Sequence, residues 1–259
     1  MIPEPYLILA SSGVFSGMLA GFLGIGGGSF MVALLVALGY EPKQAIAAST
    51  LALVITALSG TLQNWRMGYL NPRQVLYIGL PALMAAQLGV YISEFLPSVL
   101  LLFTFGCMLL GNVYLFQESQ QLQENPQSQT LSLSFPPTVS RIATGGTAGV
   151  LAGLFGIGGG IVLVPMQILL LNSQLAMAIQ TSLGVVFITS VSAFCGHTLS
   201  GNVMVIEGIT IGIGGILGSQ FSTRFLPQLP PGIIRKVFPT LLVVLAIYIF
   251  WQAWQIYTG

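Results

Sequence analysis

Charge is the scarcest commodity in this chain. Seven lysines and arginines and six acidic residues are spread over 259 positions, 5% of the total, where a soluble domain carries about 25%. Hydrophobic residues make up 54% and mean hydropathy is +0.90. A soluble globular domain is thereby excluded, and an all-α polytopic membrane protein is expected, because a helix pairs its own backbone groups in lipid. A net charge of +1 offers no basic footprint for nucleic acid. Histidine occurs once, at His197, and cysteine twice, at Cys107 and Cys195. Three such scattered side chains cannot assemble a zinc or haem site, so neither a metal nor a cofactor is expected. Both cysteines lie in apolar runs and are expected as buried thiols, not as a disulfide. No G-x-S-x-G elbow supports an intramembrane hydrolase built on a serine and His197, so the chain is not read as an enzyme. Met1-Ile2-Pro3-Glu4-Pro5 lacks the basic start of a cleavable signal, and the first apolar run is expected to stay in place.

Glycine, by contrast, is abundant and patterned. The phrase from Gly17 to Gly28, ending Gly24-Ile25-Gly26-Gly27-Gly28, returns from Gly149 to Gly160, ending Gly156-Ile157-Gly158-Gly159-Gly160. Nine of the twelve positions are identical at an offset of 132. Each glycine costs a helix about 1 kcal/mol relative to alanine, so three in succession predict an unwound segment. Unwound backbone is tolerated at membrane depth only where protein or water covers it. Matching breaks in two halves are a sequence pointer to a transporter's binding site.

The breaks divide overlong apolar runs. Tyr6–Leu23 and Ser29–Leu38 flank the first, Ser140–Phe155 and Ile161–Leu171 the second. The short pieces, about 15 Å at 1.5 Å per residue, cannot cross alone, so each pair is a broken helix or a re-entrant hairpin. Three further helices follow in each half. In the first they cover about Gln44–Gln63, Asn71–Phe95 and Pro97–Phe116; in the second, Gln174–Leu199, Val203–Phe225 and Ile233–Ile256. Eight to ten helical segments result, in two homologous repeats, 1–116 and 138–259. The glutamine- and serine-rich stretch 117–137 reads as a flexible linker. At the same offset Ser49-Thr50-Leu51 faces Thr181-Ser182-Leu183, and Trp65 faces His197.

Charge placement favours inverted over parallel repeats. With an odd number of crossings per half, Arg66, Arg73, Arg141, Arg224, Arg235 and Lys236 share one face against Lys43 alone. The excess of basic residues marks the cytoplasmic side, so that face and the linker are expected inside and both termini outside. Trp65, Trp251 and Trp254 suit interfacial belts, and Arg66 and Arg73 suit snorkelling anchors more than anion collectors.

Inverted halves would bring the breaks together at mid-membrane, with the short helices pointing unpaired N–H groups at them. A helix N-terminus carries about +0.5 of an elementary charge and binds anions without a formal cation. The candidate binding residues are therefore the backbones of Gly26, Gly27, Gly28, Gly158, Gly159 and Gly160. Ser49, Thr50, Thr181 and Ser182 on the following helices are the candidate hydroxyl donors, although such hydroxyls also bond between helices. Thr56, Ser59, Gln63, Thr189 and Ser192 extend the same polar stripe. His197 is a candidate proton relay or gate, against the plainer reading of a packing residue at a helix end. A nucleotide loop is excluded, since Ser29 and Ile161 stand where G-x-G-x-x-G needs its last glycine.

The run Gly21-x-x-Gly24-Ile25-Gly26-Gly27-Gly28, its copy from Gly153 to Gly160 with Pro165 beyond it, and the intervening Ser-Thr-Leu helix resemble the sulfite exporter TauE/SafE family. That family is also called the toluene sulfonate uptake permease family. The resemblance covers both halves outside the linker. It implies a secondary carrier of the bacterial-type inner membrane for sulfite, sulfonates or similar sulfur-containing anions, with a passive anion channel on the same scaffold as the alternative. The partners implied are a small anion and the lipid bilayer. The first half departs from the pattern, with Ala33 where the second has Pro165, so the two half-sites are not strictly equal.

Overall fold

The computed structural model describes residues 4–124, 136–201 and 204–258, and these form ten α-helices with a short 3₁₀ turn, Leu226–Gln228. The first repeat supplies α1 (Glu4–Leu23), α2 (Gly28–Ala37), α3 (Pro42–Arg66), α4 (Pro72–Phe95) and α5 (Ser98–Glu124). The second supplies α6 (Pro137–Phe155), α7 (Gly160–Leu171), α8 (Leu175–Leu199), α9 (Val205–Phe225) and α10 (Pro231–Thr258). Among the described residues, seven helices are long and apolar enough to cross a membrane, and α2 and α7 are short. Large apolar side chains such as Leu7, Met84, Phe95 and Ile247 face outward, where lipid replaces water. Proline opens α3, α4 and α6 at their first helical turn, where its missing N–H has no intrahelical partner to lose.

The two halves interlock. The first helix of each lies against the fourth helix of the other, α1 on α9 and α6 on α4. Small residues four apart make this approach possible, the close packing that glycine permits in membranes. A Cβ at Gly17 would stand 2.4 Å from Gly215 O, one at Gly149 2.2 Å from Ala82 O, and one at Gly153 2.0 Å from Ala86 O. These helix pairs run parallel, since Gly13 and Gly17 meet Ile211 and Gly215 in the same order. Likewise α3 follows α9, with Gly208 against Ala48 and Gly212 against Ile55, and α8 follows α4, with Gly184 against Val75 and Gly196 against Gln87.

The helices that correspond between repeats pass one another in opposite directions. Between α5 and α10, Phe116 stacks on Phe238 while Phe103 meets Phe250. Between α3 and α8, Gly60 meets Leu183, whereas Leu53 and Ser190 both border Gly158. Antiparallel order collects the cations. Arg66, Arg73, Arg141, Arg224, Arg235 and Lys236 all belong to helix ends on one side of the bundle. Lys43 lies on the other, donating to Glu94 O at 2.8 Å. Glu41, Glu94 and Glu207 share that second end.

Three expectations need correction. First, α5 continues past Phe116 to Glu124, so the first eight residues of the expected linker are helical; glutamine, glutamate and leucine are good helix formers, and polarity alone does not end a helix. Residues 125–135 of that linker lie outside the described residues. Second, Cys107 and Cys195 are free, as expected, but exposed on the outer faces of α5 and α8, because apolar helix faces in this protein turn toward lipid as often as inward. Third, the repeats match at an offset of 133 beyond the breaks. Ser49 is placed like Ser182, Ile46 like Ile179 and Leu53 like Val186, because α7 is two residues longer than α2 while the connection after it is one shorter, a net gain of one residue in the second half.

Candidate functional site

Each break is a tight turn built from left-handed glycines. Gly24, Gly26 and Gly27 have φ of 70°, 73° and 75°, and Gly156, Gly158 and Gly159 have 66°, 70° and 76°. Gly27 and Gly159 cap α2 and α7 with ψ of −4° in both. A side chain is disfavoured by about 1–2 kcal/mol in this region, which explains the glycines locally. The turns reverse the chain, because Ser16 Oγ of α1 donates to Gly27 O at 2.8 Å and α2 starts beside the middle of α1. The structure thus folds α1 and α2 into a hairpin, one of the two forms that the sequence leaves open.

The turns also touch each other. A Cβ on Gly28 would reach Gly156 O and Ile157, and one on Gly160 would reach Gly24 O and Ile25. Residues 24–28 and 156–160 are all buried, with Leu53 and Val186 packed between them. The six glycines named from the sequence therefore form one paired centre. Two of the four hydroxyls join it: Ser182 Oγ donates to Gly24 O and Ser49 Oγ to Gly156 O, each at 2.8 Å and each across the halves. Thr50 does not, since its hydroxyl returns to Ala47 O at 2.7 Å. Thr181 is buried one residue before Ser182, about 100° round α8 from it.

Several contributors escape a reading of the glycine phrase alone. Thr189 Oγ1 donates to Gly158 O at 2.8 Å, and Ser16 to Gly27 O. Buried hydroxyls of Ser29 and Ser190 have no partner among the described residues. The position of Ser29, one residue past the glycine run, is the signal that points to it. The hydrogen bonding is lopsided as a result. The carbonyls of Gly24, Gly27, Gly156, Gly158 and Gly159 all accept hydrogen bonds. The amides of Gly26–Gly28 and Gly158–Gly160 meet no acceptor among the described residues. Buried unpaired donors cost several kcal/mol each at membrane depth, and the starts of α2 and α7, which follow the turns, add the positive ends of two helix dipoles. No group of three metal-ligating side chains occurs among the described residues.

His197, on the last turn of α8, is 3% exposed, and its Nε2 donates to Gly153 O at 3.0 Å. It ties α8 to α6 rather than facing the glycine turns. Two cavities of about 600 Å3 lie at the ends of the bundle: one is walled by Lys43, Gln87, Glu94 and Ser200, the other by Gln74, Arg141, Ser173 and Gln174.

A family model described as Sulfite exporter TauE/SafE matches residues 9–249, which includes both turns and all ten helices in whole or part. The chain belongs to the TauE/SafE family. Relatives of this TauE/SafE member include "Probable membrane transporter protein YdhB" of Bacillus subtilis, 27% identical over 85% of this chain and 90% of the relative. A "Probable membrane transporter protein" of Xylella fastidiosa is 28% identical over 98% of both chains. A third, MJ0441 of Methanocaldococcus jannaschii, bears the same description and is 24% identical over 94% of both. The TauE/SafE chain is accordingly an integral membrane protein and a membrane transporter.

Proposed function

We propose that this protein is a secondary transporter that exports sulfite or a small organosulfonate by alternating access. The paired glycine turns hold the anion between inverted halves. The observation that carries this reading is the imbalance at the turns: every carbonyl named above accepts from a hydroxyl or amide, while six buried amides have no acceptor among the described residues. An oxyanion has acceptor oxygens and no need of a counter-cation there, and it would complete those amides. A cation would meet the same field as a barrier.

The antiparallel packing of α3 on α8 and of α5 on α10 supports inversion. A hairpin from α1 and α2 leaves three full crossings per half, which puts the six cations inside by the positive-inside rule. In this state the turns are sealed by Leu53 and Val186. Alternating access therefore requires α3 and α8 to part on one side at a time. Ser49 and Ser182 hold the turns in shape rather than the solute. The acidic residues sit at helix ends, so coupling through a mid-span carboxylate is not part of the proposal.

The test is flux of sulfite in proteoliposomes. Saturable uptake that accelerates with sulfite on the opposite side identifies a carrier, and large unitary currents would identify the alternative, a passive channel. Gly159→Leu should abolish flux in protein that remains folded; full flux would reject the site.

A further inference from the structure

We infer that the cavity at the basic end, walled by Gln74, Arg141, Ser173 and Gln174, is a capture site where a small oxyanion binds before reaching the glycine turns. The inference rests on the transport reading above but concerns a separate place in the fold. The cavity is about 600 Å3, room for an oxyanion with water around it, given about 30 Å3 per water. Among the described residues its one charged wall residue is Arg141, half-buried and held by its guanidinium 4.9 Å from the centre of the Tyr77 ring. Stacking of this kind fixes the plane of the guanidinium while leaving its N–H edge for an acceptor. The remaining polar wall is neutral, and the starts of α4, α6 and α8 converge there.

The cavity also has a polar step inward. Gln74 Nε2 lies 3.4 Å from Ser173 Oγ and 3.5 Å from Gln167 Oε1. Gln167 is fully buried on α7 and donates to Ala178 O at 3.3 Å. α7 runs from the glycine turn at Gly160 to this cavity at Leu171, about 18 Å at 1.5 Å per residue. Gln167 therefore sits part-way between the two, an amide embedded in an otherwise apolar helix.

The repeat-related corner at the other end is built differently. Leu35 stands where the second half has Gln167, and Leu9 where it has Arg141. Glu207 approaches closely enough there to help raise the Tyr40 phenol above its ordinary pKa, after burial as the larger cause and with Tyr6 adding to it. The basic-end cavity thus presents Arg141 with no carboxylate in its wall, whereas at the other end Lys43 shares its cavity with Glu94 and Glu207 stands at the repeat-related corner. Capture is sided, with higher apparent affinity at the basic face.

The test is sulfite binding to the purified full-length chain in nanodiscs, by calorimetry, with Arg141→Gln, Arg141→Lys, Gln167→Leu and Gly159→Leu alongside wild type. Losing a charge-assisted contact costs about 1.5–3 kcal/mol, so Arg141→Gln should weaken binding by about tenfold or more, and Arg141→Lys should recover part of it. In proteoliposomes Arg141→Gln should raise KM at the basic face alone, with the maximal rate unchanged. Gly159→Leu, at the glycine turns and away from this cavity, should lose the flux. If Arg141→Gln binds sulfite as tightly as wild type, or if wild type binds none, the capture site is wrong. If Arg141→Gln weakens binding while Gly159→Leu transports normally, the capture site stands and the translocation reading fails. Nanodiscs of phosphatidylcholine and of phosphatidylglycerol separate the sources of anion: a response to Arg141→Gln seen only as lost phosphatidylglycerol binding would make this a lipid headgroup site and overturn the proposal.

Discussion

Ser49 Oγ lies 2.8 Å from Gly156 O, and Ser182 Oγ lies the same distance from Gly24 O, so each repeat fastens the glycine turn of the other. Each hydroxyl also lies within reach of a carbonyl one turn back in its own helix, Ile46 O and Ile179 O. Replacing either serine by alanine leaves a buried carbonyl without its donor, at a cost of about 1–2 kcal/mol each. The two turns touch, so the double variant should depart from additivity by more than about 0.5 kcal/mol. Thermal unfolding in detergent measures this. Strict additivity would mean the two clasps act alone.

Glycine at the turns and glycine on the outer faces should answer differently to one added methyl. Gly27 and Gly159 combine positive φ with a Cβ position 2.2 Å from Ser16 Oγ and 2.4 Å from Ala148 O. Alanine at either should cost more than about 2 kcal/mol and most of the flux. At Gly111 and Gly146, helical positions with nothing within 4 Å, alanine should be neutral or mildly stabilising through helix propensity. Equal effects at both kinds of site would contradict the packing described.

Much of this was readable from the sequence, and what was not has a physical cause. Gly24 through Gly28 announce a break because glycine is costly in a helix, and their second copy announces a pair. The hairpin was not readable, because an unwound turn either continues or reverses a helix and only Ser16 touching Gly27 decides it. The pairing of Ser49 with Ser182, not with Thr181, depends on one extra residue between the glycine turn and the next long helix, and a one-residue slip turns a helix by about 100°. Arg141 and Arg73 look alike as letters; only folding gives one a cavity and a tyrosine face and leaves the other exposed.

Orientation gives a direct test of the inverted arrangement. Glu41 belongs to the end that holds Lys43, and Tyr69 to the end that holds Arg66 and Arg73. In a background with Cys107 and Cys195 changed to serine, cysteine at position 41 should react with a membrane-impermeant maleimide on intact cells. Cysteine at position 69 should react only after permeabilisation. The opposite pattern would place the basic end outside and reverse the direction of the proposed transport.

His197 separates a structural clasp from a proton relay. Its repeat-related partner is Asn64, one residue from Trp65, and Asn64 is equally buried with neither side-chain polar atom partnered among the described residues. Asparagine at position 197 can still donate one hydrogen bond to Gly153 O but cannot take up a proton near neutral pH. His197→Asn should therefore keep most of the flux and leave its pH profile in place, while His197→Ala, which leaves Gly153 O without this donor, should lower thermal stability by about 1–3 kcal/mol. A limb of the pH profile between about pH 5 and 8 that vanishes in His197→Asn would show that the imidazole carries protons during transport. Retention of that limb would instead assign it to the solute, since sulfite itself takes up a proton near neutrality.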